Sequence, residues 1–162
     1  MVINHDNYSD NYIRNILKNT KTIAMVGASP NWNRPSYFAM KYLQKKGFRI
    51  VPVNPRVSNK TILGETVFPE LTDIPETIDM VSIFRNSEAA GIITDEAILL
   101  PVKTVWMQLG VRNNAAAARA EASSINVVMN RCPKIEYGRL SGEIGWMGIN
   151  TGIINSKRRK SL

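Results

Sequence analysis

The chain has 162 residues, 44% of them apolar, and a formal net charge of +8. That length suits one domain with a sizeable core, and the longest apolar run, near Ala97–Val102, falls far short of the roughly 20 residues of a membrane helix. The single cysteine, Cys132, excludes an internal disulfide framework, and the start MVINHDNYSDNY lacks the basic and apolar regions of a signal peptide, so a cytoplasmic protein is expected.

Lys157, Arg158, Arg159 and Lys160 against Glu143 give residues 141–162 a net +3 and leave +5 on the rest. A basic surface favours phosphate-bearing partners, either a small polyphosphate or a nucleic acid.

Asn7–Lys18 sets Tyr8, Tyr12, Ile13, Ile16 and Leu17 at helical spacing and predicts a leading helix packed on a sheet. Thr22–Val26 is an unbroken apolar run, as in a strand covered on both faces. It stops at Gly27-Ala28-Ser29. After a polar loop Pro35 opens a helix to about Lys46, with Asn33 or Arg34 as its cap and Gly47 as its stop. Phe48–Asn54 reads as the second strand, in which Pro52 marks an end or a bulge. Asn54-Pro55-Arg56 turns the chain, and Thr61–Pro69 holds a short third strand. Ile78–Phe84 is the next strand. Asn86 or Ser87 then caps a helix that Pro101 ends. Lys103–Met107 is a strand closed by Gln108-Leu109-Gly110, Asn113–Ser124 is an alanine-dense helix, and Asn126–Met129 is the last strand, running into Asn130-Arg131-Cys132-Pro133.

This alternation predicts an α/β fold: a Rossmann-like doubly wound parallel sheet in three α/β/α layers over residues 1–140. Residues 141–162 form a C-terminal extension. Its Ile144, Trp146, Met147, Ile149, Ile153 and Ile154 call for burial, over the body or across a homodimer, and Lys157–Lys160 reads as a solvated end rather than a nucleic-acid arm.

In such folds ligands bind beyond the carboxyl ends of the strands, where strand order reverses. The residues standing there are Gly27, Ala28, Ser29, Arg34 and Pro35; Asn54, Pro55 and Arg56; Phe84, Arg85 and Asn86; Met107, Gln108, Leu109 and Gly110; and Asn130, Arg131 and Cys132. Several arginines converge and no carboxylate does. A dinucleotide site carries G-x-G-x-x-G and an acid near the end of the second strand for the ribose diol. Here Gly27 is the loop's one glycine, and Arg56 stands where that acid would be. A cation at that place suits a ribose phosphate, as in NADP or the 3′-phosphate of coenzyme A, and disfavours NAD.

The blocks VGASPNWNRPSY, PVNPR, VSIFRNSE, WMQLGV and NRCPKIEYGRL, in that order, resemble the small bacterial CoA-binding family, which is similar to the N-terminal CoA-binding domain of the succinyl-CoA synthetase α subunit. The likeness covers about Thr20 to Leu140. It implies CoA or an acyl-CoA laid across the switch point. Gly27, Ala28 and Ser29 would face the phosphates, with Pro35, Asn54 and Pro55 in the same loops. Arg34 and Arg56 would lie near the adenosine phosphates, and Phe84 and Arg85 on the adenine side. Met107, Gln108, Leu109 and Gly110 would flank the pantetheine arm. Cys132 is either a small buried residue or a thiol partner that forms a mixed disulfide with CoA, with Arg131 beside it to favour the thiolate. The synthetase's phosphohistidine belongs to a second domain, and His5 lies outside every matching block. Ligase chemistry by this chain alone is therefore not expected.

Two rival readings come from other classes. An NADP-dependent oxidoreductase needs an acid or base at the ligand's reactive end, and none stands at the strand ends. A nucleic-acid-binding protein needs clustered exposed aromatics, which Trp32 and Trp146 do not make. The expectation is a CoA-binding module with no metal and no chemistry of its own.

Overall fold

The structure is a computed structural model that describes residues 2–142. The expectations for the extension beyond Gly142 lie outside the described residues. The leading helix α1 (Asp10–Lys18) begins at Asp10 rather than Asn7, because the Ser9 side chain caps it by accepting from the Tyr12 N–H. The chain continues through β1 (Thr22–Val26), α2 (Pro35–Lys45), β2 (Arg49–Val53), β3 (Thr61–Ile62), β4 (Glu65–Thr66), β5 (Met80–Ile83), α3 (Ser87–Ile98), β6 (Thr104–Met107), α4 (Asn114–Ala122), β7 (Asn126–Val128) and α5 (Pro133–Leu140).

Five of the strands form one parallel sheet in the order β2-β1-β5-β6-β7. Alternate residues of each strand bury on opposite faces. Ile23 and Met25 join Ile50, Met80, Trp106 and Val128 beneath α1, α2 and α5. Ala24 and Val26 join Val51, Val81, Ile83 and Val105 beneath α3 and α4. Covering both faces is what makes the strand sequences continuously apolar. The result is a Rossmann-like three-layer α/β/α domain. Since α2 leaves β1 on one face and α3 and α4 cross on the other, the strand order turns between β1 and β5, and a cleft opens at that turn.

Local details depart from the sequence reading for identifiable reasons. Pro52 sits inside β2 in register with Met25, neither at a strand end nor in a bulge. It is tolerated because β2 is the outermost strand, so no ladder partner lacks an N–H. The segment from Thr61 makes a hairpin rather than a third sheet strand. It turns at Leu63 and Gly64, whose φ values are 48° and 84°, and touches the main sheet through a single bridge, Val53 to Phe68. Helix α5 was not anticipated, although Pro133 at its first position is a known opening signal.

The far edge of the sheet is closed by side chains. The Tyr12 hydroxyl donates to the Val127 carbonyl (2.9 Å) and accepts from the Val127 N–H (3.1 Å), and the Tyr8 hydroxyl accepts from the Met129 N–H (2.8 Å). These phenols stand in for a neighbouring strand along β7 and its end, covering an edge that would otherwise invite foreign pairing. Their burial pushes both phenol pKa values up from 10.0, that of Tyr12 to about 12.

The raised value means that folding favours the neutral phenol. Its stabilising effect is full below pH 10 and is lost as pH climbs towards about 12. Urea denaturation followed across pH 8–12 is expected to show stability falling above pH 10. Tyr12→Phe should lower stability at neutral pH by about 1–3 kcal/mol, the cost of leaving the Val127 amide unpaired, and make the alkaline decline shallower. An unchanged decline in Tyr12→Phe would remove the phenol from that role.

Candidate ligand-binding cleft

A cleft of about 810 Å³ lies at the carboxyl ends of the strands. Its floor is set by Gly27, at φ +88°, whose N–H donates to the Val53 carbonyl at 2.9 Å. A Cβ on Gly27 would lie 2.4 Å from the Phe84 carbonyl oxygen, so only glycine lets the ends of β1 and β5 approach this closely. The loop after it is tied down by its own polar groups. The Ser29 N–H donates to Ser36 Oγ (3.1 Å), and the Asn54 side-chain amide donates to the Ala28 carbonyl (2.9 Å). The loops after β6 and β7 are joined in the same way: the Gly110 N–H donates to Asn130 Oδ1 (2.7 Å), and Trp106 Nε1 donates to the Arg131 carbonyl (2.9 Å).

Three guanidinium groups line the cleft, those of Arg34, Arg56 and Arg85. None has a hydrogen-bond or ion-pair partner for its side chain among the described residues. Every other described arginine has one. Arg14 donates to Asn11; Arg49 pairs with Glu65 and Glu76; Arg112 pairs with Asp6; Arg119 pairs with Asp95; Arg139 pairs with Asp10 and Glu136. Arg131 donates to the Asn130 and Asp6 carbonyls and lies 5.2 Å from the Tyr8 ring centroid, so its charge is engaged with the leading segment. Among the described residues no Asp, Glu, His or Lys lines the cleft.

The helix starts repeat this division. Helices α1, α3 and α4 are capped by the side chains of Ser9, Asn86 and Asn113. Helices α2 and α5 begin at Arg34 and Cys132, each followed by proline, with no side-chain cap, and both of those residues line the cleft. Pro35 and Pro133 carry no N–H and the Tyr37 N–H donates to the Arg34 carbonyl (3.0 Å), so among the described residues the Ser36 N–H at the start of α2 and those of Lys134 and Ile135 at the start of α5 are left at the positive ends of the two helix dipoles. Gln108 also lines it, and its Oε1 is buried with no partner among the described residues.

Of the residues expected at the site, the structure gathers Gly27, Ser29, Arg34, Pro35, Asn54, Arg56, Phe84, Arg85, Gln108, Leu109 and Cys132 along one lining. Four stand elsewhere. Ala28 is buried beneath the loop, and Met107 is fully buried in the core under α3 and α4. Pro55 faces a smaller neighbouring cavity of about 240 Å³, and Gly110 is exposed outside the lining. Pro30, Ser36, Val57, Val111 and Ile135 line the cleft without having been anticipated. Ile135 was missed because its helix was, and Pro133 was the signal that could have found it. Cys132 is 9% exposed and part of the lining. His5 lies apart from the cleft, between the Tyr8 hydroxyl (2.7 Å) and Glu121 Oε1 (2.6 Å).

The fold and this cleft define a Rossmann-like α/β domain whose switch point is lined by three arginines. The family model described as a CoA binding domain matches residues 21–138, and the chain belongs to that family. It is 32% identical to the uncharacterized protein YneT of Bacillus subtilis (strain 168) over 77% of this chain and 91% of that protein. A solved hypothetical protein from Pyrococcus horikoshii OT3 superposes with a TM-score of 0.79 at 35% identity, covering 86% of this chain and 97% of the other. A shorter stretch, 39% of this chain, is 35% identical to the acetate–CoA ligase [ADP-forming] II of Archaeoglobus fulgidus and spans 9% of that enzyme.

The close approach at Gly27 has a measurable consequence. Gly27→Ala meets both a left-handed backbone, at roughly 1–2 kcal/mol, and an overpacked contact, at roughly 1–3 kcal/mol, and should lose about 2–5 kcal/mol of stability in urea denaturation. Gly110→Ala has φ +84° but nothing within 4 Å of the added Cβ, so its loss should stay at roughly 1–2 kcal/mol. Equal losses at the two positions would show that the contact with Phe84 carries no cost.

Proposed function

We propose that the chain binds coenzyme A, or an acyl thioester of it, in this cleft, as a binding module without catalysis of its own. The observation that carries the reading is the set of three unpaired arginines at the switch point. A guanidinium left without a carboxylate is suited to a phosphate, which it can hold through two parallel N–H donors. Three of them match a ligand with a diphosphate and a separate ribose phosphate. Arg56 at the end of β2 takes the place of the acid that would hold an unphosphorylated ribose. Gly27 and the Ser36 N–H at the start of α2 let the backbone itself approach the diphosphate. Phe84 and Arg85 offer an apolar and planar flank for the adenine. The residues present thus fit CoA. Among the described residues the lining offers no carboxylate or imidazole to move a proton, which supports binding over catalysis.

Titration calorimetry with CoA, dephospho-CoA, NADP and NAD tests this. CoA is expected to bind well above dephospho-CoA and NAD, and Arg56→Ala to weaken CoA about ten- to a hundredfold, since a hydrogen bond to a charged group is worth roughly 1.5–3 kcal/mol. Equal affinity for CoA and dephospho-CoA would remove Arg34 and Arg56 from the 3′-phosphate. NADP binding as tightly as CoA would favour the oxidoreductase reading.

The same proposal assigns Cys132 a thiol partner. Exchange with CoA disulfide needs no further oxidant. The Cys132 thiolate attacks the S–S bond, one CoA leaves as thiolate, and the protein retains the other as a mixed disulfide. Mass spectrometry should show a gain of one CoA that a reductant reverses and that Cys132→Ser lacks. If no adduct forms, Cys132 is a packing residue only.

A further inference from the structure

We infer that the cleft is built for CoA carrying a hydrocarbon acyl chain, held where Leu109, Val111, Cys132 and Ile135 line it. The inference rests on the CoA reading above and names the substrate class within it.

The cleft is polarised along its length. All three of its charged side chains come from the β1, β2 and β5 loops. From the β6 and β7 loops and α5 come Leu109, Val111, Cys132 and Ile135, with Gln108 the one polar side chain among them. Phosphates drawn to the arginines leave the neutral pantetheine arm, and whatever its sulfur carries, to that second end. There the protein exposes more hydrocarbon than a thiol needs. Leu109 is 57% exposed and Ile135 47%. Phe38, 49% exposed, lies one turn after the helix start at which Pro35 and Ser36 line the cleft.

Of these, Leu109 and Ile135 share the cleft lining, and Phe38 lies outside it on α2. Lys134 Nζ stands 5.7 Å from the Tyr42 ring centroid, so the first turn of α5 lies against α2. Phe38 precedes Tyr42 by four residues and shares its helix face, one turn nearer the mouth. A hydrocarbon chain leaving the cleft past Ile135 therefore has an apolar track to follow. Covering exposed apolar surface with a ligand is favourable in proportion to the area removed from water.

The test measures the affinity of the full chain for CoA, acetyl-, butyryl-, hexanoyl- and octanoyl-CoA by calorimetry, with the wild type and the double variant Leu109→Ser/Ile135→Ser. Affinity is expected to rise about three- to fourfold per methylene over the first several carbons, the factor given by about 0.8 kcal/mol per buried methylene. The double variant should flatten that rise. Phe38→Ser, outside the lining, should reduce it for the longer chains and leave acetyl-CoA unchanged. Affinity that is level or falls with chain length, while CoA itself binds, overturns the inference and leaves the CoA reading standing. A rise that the variants do not flatten overturns it too, because the chain would then lie elsewhere. Sedimentation of the same samples covers the rival occupant: a dimer that the double variant dissociates would assign Leu109 and Ile135 to a second copy. Failure of every thioester and of CoA to bind sinks the CoA reading and this inference with it.

Discussion

At Gly27 there is no room for a side chain. The Phe84 carbonyl oxygen lies 2.4 Å from where a Cβ would stand, and the Gly27 N–H is held by the Val53 carbonyl on the other side. The end of β1 is thus clamped between the ends of β2 and β5. Those strand ends are what the rest of the cleft depends on. They set Arg34, Arg56 and Arg85 around one space, with the start of α2 at its edge. A bulkier residue would push the β5 end away, and the cationic groups would separate with it.

Charge is sorted along the strand axis. At the amino ends, Asp79 accepts from the Lys21 and Thr22 N–H groups and pairs with Lys103. Around the periphery, acids pair with Arg49, Arg112, Arg119 and Arg139. Exposed pairs of this kind add little stability each. Their larger effect here is on distribution: these carboxylates are drawn to the amino ends and the periphery, while Glu70 and Glu96 line the smaller cavity beside Arg85 and not the main cleft.

The leading segment serves the opposite edge. Tyr8 and Tyr12 satisfy backbone groups of Val127 and Met129, and His5 links Tyr8 to Glu121 on α4. Arg131 is drawn into this arrangement through Asp6 and Tyr8. It had been a candidate to activate Cys132, but its guanidinium is committed to the segment that closes the sheet. The pairing of Arg112 with Asp6 fastens the same segment a second time.

Much of this was legible in the chain. The apolar run Thr22–Val26, the strand pattern Lys103–Met107, the punctuation at Gly27, Gly47 and Pro101, and the arginines at strand ends determined a parallel doubly wound sheet with a cationic switch point. Each is a local property, fixed by backbone permissiveness or by burial on both faces of a strand. The tertiary structure decided what depends on distant neighbours. Met107 stands at a strand end in sequence yet points into the core, because side chains alternate along a strand and its register places it under α3 and α4. Pro52 remains inside a strand because β2 is outermost, which only the strand order reveals. Arg131 and Arg56 are the same residue at equivalent strand ends, but one has the leading segment to bind and the other has nothing. Ile135 entered the cleft because α5 packs beside α2. Whether a strand-end side chain is spent on the fold or left for a ligand is set by what packs next to it, and that is a property of the assembled layers rather than of the residue and its neighbours in sequence.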